Sequence, residues 1–312
     1  MADEAKLWVN RGEGNEEGEF FEFIVPAGEG MVVLDAIHWI QQNVEPDLAA
    51  RWNCKAAKCG SCSAEINGKP GLMCKTRLSD FPEDEPITVE PMRTFPRVRD
   101  LVTDVSWNYQ INKLITPFTP PDTPQSEWRW QQEDGERSQE FRKCIECFLC
   151  MDTCHVLRNH ETEYEFFGPR FFVRAASLEM HPLDQADRKE QLKYEGGIGY
   201  CNINKCCTEV CPEHIKITDN AIIPMKERVA DEYYDPVRWL WHKLRGGRYG
   251  SSADGADIAV SEEAKALDQR ADSGGSTGSG SSGSAGSDGS IGSSSSGSAG
   301  SDGSAGERKS TR

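Results

Sequence analysis

CNINKCCTEVCP, Cys201 to Pro212, decides how the C-terminal half of this sequence folds. A cluster-binding run of small ferredoxins reads C-x2-C-x2-C-x3-C-P. Cys201, Cys207 and Cys211 take three of its four cysteine positions, and Pro212 follows the last. Asn204 stands at the remaining position, and a surplus cysteine, Cys206, sits one residue before Cys207. Upstream, CIECFLCMDTCH fills all the cysteine positions with Cys144, Cys147, Cys150 and Cys154, and His155 replaces the proline. In two-cluster ferredoxins the fourth cysteine of each run binds the cluster of the other run. Applied here, that crossing joins Cys211 to Cys144, Cys147 and Cys150, a complete [4Fe–4S] ligand set. It joins Cys154 to Cys201 and Cys207, three thiolates that suit a [3Fe–4S] cluster, with Asn204 at the vacant corner. Adjacent residues project differently, so Cys206 reads as a non-ligand. His155 reads as a surface residue or an outer contact of the ligands. Cys150 and Cys154 are too far apart for the C-x2-C-H attachment of a c-type haem.

The other cysteine group lies in RWNCKAAKCGSCSAEINGKPGLMC, Arg51 to Cys74. Cys54, Cys59 and Cys62, followed by Cys74, match the plant-type [2Fe–2S] spacing C-x4-C-x2-C…C. Gly60 relieves crowding so that backbone amides can turn toward the sulfurs. Lys55 and Lys58 would favour the reduced, more negative cluster. Zinc also takes four cysteines, but its structural sites favour paired C-x2-C knuckles. A structural zinc module is the competing class, and colour separates the two, since zinc proteins are colourless.

Around these groups the pattern is α+β. FFEFIV at Phe20–Val25 is rich in strand formers. Val33, Ile37 and Ile40 recur at helical spacing. Asn67-Gly68 signals a tight hairpin, and Ile87-Thr88-Val89 a short closing strand. PFTPPDTP at 117–124 is too rich in proline for a helix or central strand and reads as an extended linker. Beyond Gln125 the pattern turns helical, including the charged segment PLDQADRKEQLKYE. The expected division is 1–105, 106–248 and a Gly/Ser-rich tail, 249–312, in which GSAGSDGS occurs at 283–290 and again at 297–304. Such a tail has little to bury and is expected to be disordered.

The chain has 312 residues and a formal net charge of −16, which disfavours nucleic acid as a partner. The start has no signal-peptide pattern. No apolar run approaches the ~18–20 residues that span a membrane. Twelve closely spaced cysteines without a secretory signal point to metal rather than disulfides.

These residues closely resemble the iron–sulfur subunit of the succinate dehydrogenase and fumarate reductase family. The resemblance covers about residues 5–245 and rests on RWNCKAAKCGSC, PGLMC, RVRDLVTDV, CIECFLC, EFFGPR and CCTEVCPEHI in that order. It implies a β-grasp [2Fe–2S] ferredoxin domain followed by an all-α two-cluster ferredoxin domain. It implies the same three ligand sets derived above. It further implies a partner flavoprotein with FAD, which oxidises succinate to fumarate, and electron delivery to quinone beside membrane-anchor subunits. The enzyme would be succinate dehydrogenase (quinone), with quinol:fumarate reductase as the alternative. The chain would sit peripherally on the cytoplasmic face of the cell membrane, held by its partners. No catalytic acid, base or nucleophile is expected in it, since the cofactors carry the chemistry.

The sequence departs from the family on the quinone side. Many relatives have Pro after the residue matching Cys154, a Trp soon after, and His after the residue matching Cys201. Here His155 and Asn202 occupy those two positions, and no tryptophan follows through Glu163. Asn202 and Lys226 are the candidates on this side, Lys226 aligning with a family lysine only across one gap. WLWHKLRGGR, Trp239 to Arg248, suits a membrane-interface contact, packing against another subunit, or an ordinary helix end.

Overall fold

The computed structural model describes residues 4–14, 17–160 and 165–244. The expected tail, 249–312, and the last residues of WLWHKLRGGR lie outside the described residues, as does the side chain of Trp239.

The N-terminal half is built on five strands: β1 (Glu4–Arg11), β2 (Glu19–Pro26), β3 (Ser63–Ile66), β4 (Lys69–Leu72) and β5 (Ile87–Glu90). Their order is β2-β1-β5-β3-β4, with β1 and β5 parallel and the other neighbours antiparallel. Alternation explains the register: Leu7 and Val9 face inward on β1, while Lys6 and Trp8 face out. Asn67 and Gly68 carry the hairpin at φ 47° and 71°, the doubly left-handed turn that Asn-Gly favours. The helix α1 (Val33–Asn43) lays Val33, Leu34, Ala36, Ile37 and Ile40 against the sheet. Its Asp35 carboxylate accepts the Val32 amide at 3.2 Å, satisfying one free donor at the helix start. A short ribbon, β6 (Arg97–Arg99) with β7 (Val102–Thr103), leads out of this half.

The C-terminal half is helical: α2 (Ser106–Asn112), α3 (Gln132–Arg142), α4 (Leu149–Asp152), α5 (His155–His160), α6 (Gly168–Glu179), α7 (Cys206–Glu209), α8 (Ile223–Tyr234) and α9 (Pro236–Leu244). Its core centres on Phe166, Phe167, Phe171 and Phe172, stacked edge-on or tilted at centroid distances of 5.0–5.6 Å. Val237, Leu240, Trp241 and Leu244 of α9 are exposed.

Two readings of the sequence need correction. PLDQADRKEQLKYE is not one helix. Its first half is turn and extended chain, and only Lys189 onward coils, ending in the π-helical turn Gln191–Glu195. The aspartates explain this: Asp184 Oδ1 accepts Ala186 N–H at 3.0 Å and Asp187 Oδ1 accepts Lys189 N–H at 3.0 Å, local bonds that compete with a helix. PFTPPDTP is extended but it is not a free linker. The fully buried Arg188 donates to the carbonyls of Thr116 and Pro117 at 2.8 and 2.9 Å and pairs with Asp184 and Glu179. The proline segment is thereby strapped to the helical half.

The two halves interlock. Cys147 and Leu149 pack in the core under the sheet, and Met92 and Phe95 pack in the helical core. Between them lies a buried ionic group. Glu65 on β3 is fully buried and pairs with Arg158 of α5 and, at 2.9 Å, with Arg93. Asp152, also fully buried, accepts the Thr94 amide at 3.2 Å. Burial raises the Asp152 carboxyl to about 6 against the hydrogen bonds from Thr94 and Arg93 that lower it. Removing one partner of a buried pair strands the other, at about 3–5 kcal/mol. Both arginines keep some solvent contact, so Glu65→Ala should cost about 3 kcal/mol, the low end of that range. A denaturant midpoint unchanged in this variant would show that the ionic group does not fasten the halves.

Candidate metal centres

Three loops present the cysteines, and they share one backbone device. Lys55 and Ala57 have φ 53° and 54°, Glu146 and Phe148 56° and 61°, and Ile203 and Lys205 64° and 62°. Left-handed residues two apart turn successive N–H groups toward one point, a concave anion-binding nest. In the first loop the Ala56 and Lys58 amides both donate to Cys54 Sγ at 3.3 Å. Such donors stabilise the charge of a thiolate or of an inorganic sulfide.

Cys54, Cys59, Cys62 and Cys74 are brought together by the first loop and the segment after β4. Burial raises the Cys62 thiol to about 12, and Cys74 and Cys59 act on it. Burial also raises Cys59, but hydrogen bonds from Ser61 and Cys54 prevail and hold it at about 6. Lys58 pairs with Glu213 at 3.0 Å, and the Lys55 ammonium lies 5.0 Å from the Trp52 ring centroid. Lys58 thus docks this loop as well as charging it.

A cleft of about 370 Å³ has Cys144, Cys147, Cys150 and Cys211 in its wall. Burial raises the thiols of Cys144, Cys147 and Cys150, Cys147 to about 12 and Cys150 well above its ordinary value. Arg170 also lines the cleft, almost fully buried and paired with Glu146. Its guanidinium is a fixed positive charge facing the site, and only the fold reveals it, since EFFGPR gives no sign of where its arginine points.

A second cleft, of about 290 Å³, is lined by Cys154, Cys201, Cys207 and also Cys206. Burial raises Cys154 and Cys207 to about 11. Thr218, in the π-helical turn Ile217–Ile222 that precedes α8, lies 3.4 Å from Cys207 Sγ. At the rim, the Asn202 and Asn204 amides both meet the His155 ring. Lys226 donates to the Cys201 carbonyl at 2.5 Å, so it braces the loop of this cleft. Asn202 and Lys226 therefore lie on the same side as the second cleft.

The fit to iron–sulfur clusters rests on this donor set: soft thiols ringing two clefts and one loop, with amides turned toward the sulfurs. Among the described residues no trio of His, Cys, Asp or Glu converges on a single-ion site. The sequence missed the contact between the sites. The first loop and the run that carries Cys147 meet through Ser63, whose Oγ lies 2.8 Å from the Cys147 carbonyl and 3.0 Å from that of Gly60.

Both halves of the chain match known iron–sulfur domains. A family model described as a 2Fe-2S iron-sulfur cluster binding domain matches residues 6–110, and one described as a 4Fe-4S dicluster domain matches residues 140–215. The fumarate reductase iron-sulfur subunit of Mycobacterium tuberculosis is 31% identical over 202 residues, 63% of this chain and 80% of that protein. The succinate dehydrogenase iron-sulfur subunit of Bacillus subtilis is 29% identical over 217 residues, 63% of this chain and 81% of that protein. Among solved structures, a chain of the Mycobacterium smegmatis Sdh1 complex in the apo form is 63% identical, with a TM-score of 0.73; the match covers 76% of this chain and all of that one.

Proposed function

The chain belongs to the iron–sulfur subunits of the succinate dehydrogenase and fumarate reductase family, and from that premise we propose that it relays electrons from a FAD-containing flavoprotein, which oxidises succinate to fumarate, to a membrane quinone. The observation that carries the reading is the pairing in the two clefts, Cys211 with Cys144, Cys147 and Cys150, and Cys154 with Cys201 and Cys207. Cys54, Cys59, Cys62 and Cys74 would hold [2Fe–2S]. The first cleft would hold [4Fe–4S] and the second [3Fe–4S]. When bound, the clusters supply one-electron redox chemistry. The protein buries Cys147, Cys150, Cys154 and Cys207 of the two clefts, turns amides toward Cys54 in the more exposed first loop, and sets Arg170 beside the middle site. Residues 1–105, 106–248 and 249–312 would be the β-grasp domain, the helical domain and the tail. Asn202 and Lys226 would face the quinone side, and membrane-anchor subunits would hold the chain peripherally on the cytoplasmic face. None of the described helices is long and apolar enough to cross a membrane, which fits attachment through partners.

The 63%-identical neighbour from an Sdh1 complex favours the succinate-oxidising direction. The fumarate reductase names among the curated relatives support the reverse direction as a second reading. The purified chain, with its clusters loaded, is expected to be coloured, to contain iron and sulfide rather than zinc, and to reduce no dye with succinate until the flavoprotein is added. Colourless zinc-loaded protein, or succinate oxidation by the chain alone, would refute the proposal. Measuring both succinate oxidation and fumarate reduction by the complete complex decides the direction.

A further inference from the structure

We propose that Cys206 is the thiolate for a fourth iron in the second cleft, so that the cluster held there interconverts between [3Fe–4S] and [4Fe–4S] with iron supply. This rests on the three-cluster reading above and deepens it. The first observation is the count of donors. The first cleft is lined by four cysteines, and so is the second: Cys154, Cys201, Cys206 and Cys207. The sequence places Asn204 at the vacant corner; it does line the cleft, but it brings an amide that meets the His155 ring at 3.4 Å rather than a thiolate. Cys206 opens α7 directly after left-handed Lys205, φ 62°, and lies in the wall of the cleft, whereas Leu149, which follows left-handed Phe148 in the other run, lines no part of the first cleft.

The second observation is exposure. Cys206 is half-buried, whereas Cys154 and Cys207 are buried, so its place in the cleft wall is open to iron from solvent.

The chemistry balances. A [3Fe–4S] core reduced by one electron to zero charge takes up Fe²⁺ and becomes [4Fe–4S]²⁺. As the iron–sulfur bond to Cys206 forms, the thiol proton leaves to water. In reverse, a one-electron oxidant converts [4Fe–4S]²⁺ to [3Fe–4S]⁺ and releases Fe²⁺.

The test uses the assembled complex and EPR. Anaerobic incubation with dithionite and a ferrous salt, followed by removal of both and reoxidation with a quinone, should abolish the oxidised [3Fe–4S] signal in wild type. Iron content should rise by about one atom per complex, the difference between the two cluster types. Ferricyanide should restore the signal and release that iron. In Cys206→Ser the signal should persist throughout. A wild-type complex that has no such signal as isolated, while Cys206→Ser has it, would also support the proposal. A wild-type signal that survives the ferrous treatment with unchanged iron overturns it, as does its loss in Cys206→Ser to the same extent. If neither cluster type is found in this cleft before or after treatment, the three-cluster reading itself fails, which the other outcomes leave standing.

Discussion

A complex carrying Cys211→Ser should lose its [4Fe–4S] signal and keep its [3Fe–4S] signal. The variant removes a cysteine from the run whose other ligands face the second cleft, so without the crossing the opposite signal would be lost. The structure places Cys211 on the wall of the first cleft, next to Pro212 and Glu213 and across from Cys144, Cys147 and Cys150. Electron flow should follow the ligand. Cys147 of this set abuts the [2Fe–2S] loop, and Cys207, close to the first cleft in sequence and space, belongs to the second. In the proposed relay the middle site is the passage between its neighbours, so succinate-driven quinone reduction should fall to background. Reduction of an artificial acceptor that takes electrons at the flavoprotein should continue. Cys154→Ser is the reciprocal experiment: it should spare the [4Fe–4S] signal and abolish the other. If Cys211→Ser loses only the [3Fe–4S] signal, each run ligates its own cluster and the pairing is wrong.

The parts of this molecule that the sequence announces are those in which local spacing determines geometry. The two ferredoxin-like runs place their cysteines by loop shape, and the loop shape comes from left-handed residues at fixed offsets. Alternation set the inward face of β1, and Asn67-Gly68 set the hairpin. What the sequence hid depends on contacts between distant residues. Arg188 reads as one more charge in a charged segment, yet it is fully buried, because carbonyls 71 and 72 residues away accept from it. Glu65 sits in a strand whose residues are all buried, which no local pattern marks for a carboxylate, and it stays there because Arg158 and Arg93 reach it. Spacing alone makes Cys206 a non-ligand, and spacing does not show that the fold sets it in the wall of the second cleft.

Gly60 shows the same limit in a position where it can be measured. Spacing assigns it to the turn of the first cysteine loop, and its φ of 67° fits that role. The structure adds a reason the loop does not reveal. A Cβ on residue 60 would lie 2.7 Å from the Cys147 Cα, 2.8 Å from the Cys147 nitrogen and 2.8 Å from the Ile145 carbonyl oxygen. These are backbone atoms and cannot swing aside as a flexible side chain would. Gly60→Ala must therefore push the first loop away from the run that lines the neighbouring cleft. Gly68→Ala is the matched control, with φ 71° and nothing within 4 Å of the added carbon. Both variants incur the left-handed strain of about 1–2 kcal/mol. Only Gly60→Ala adds overpacking, about 1–3 kcal/mol more. At roughly 2–4 °C per kcal/mol for a body of this size, the control should melt about 2–8 °C lower and Gly60→Ala about 4–20 °C lower. The functional readout should separate them further. Magnetic coupling between the reduced [2Fe–2S] and [4Fe–4S] clusters should weaken in Gly60→Ala, and electron transfer to quinone should slow, while Gly68→Ala leaves both unchanged. Equal behaviour of the two variants would mean that the loop yields without moving its cluster, and that the backbone contact at Cys147 does not set the spacing between the sites.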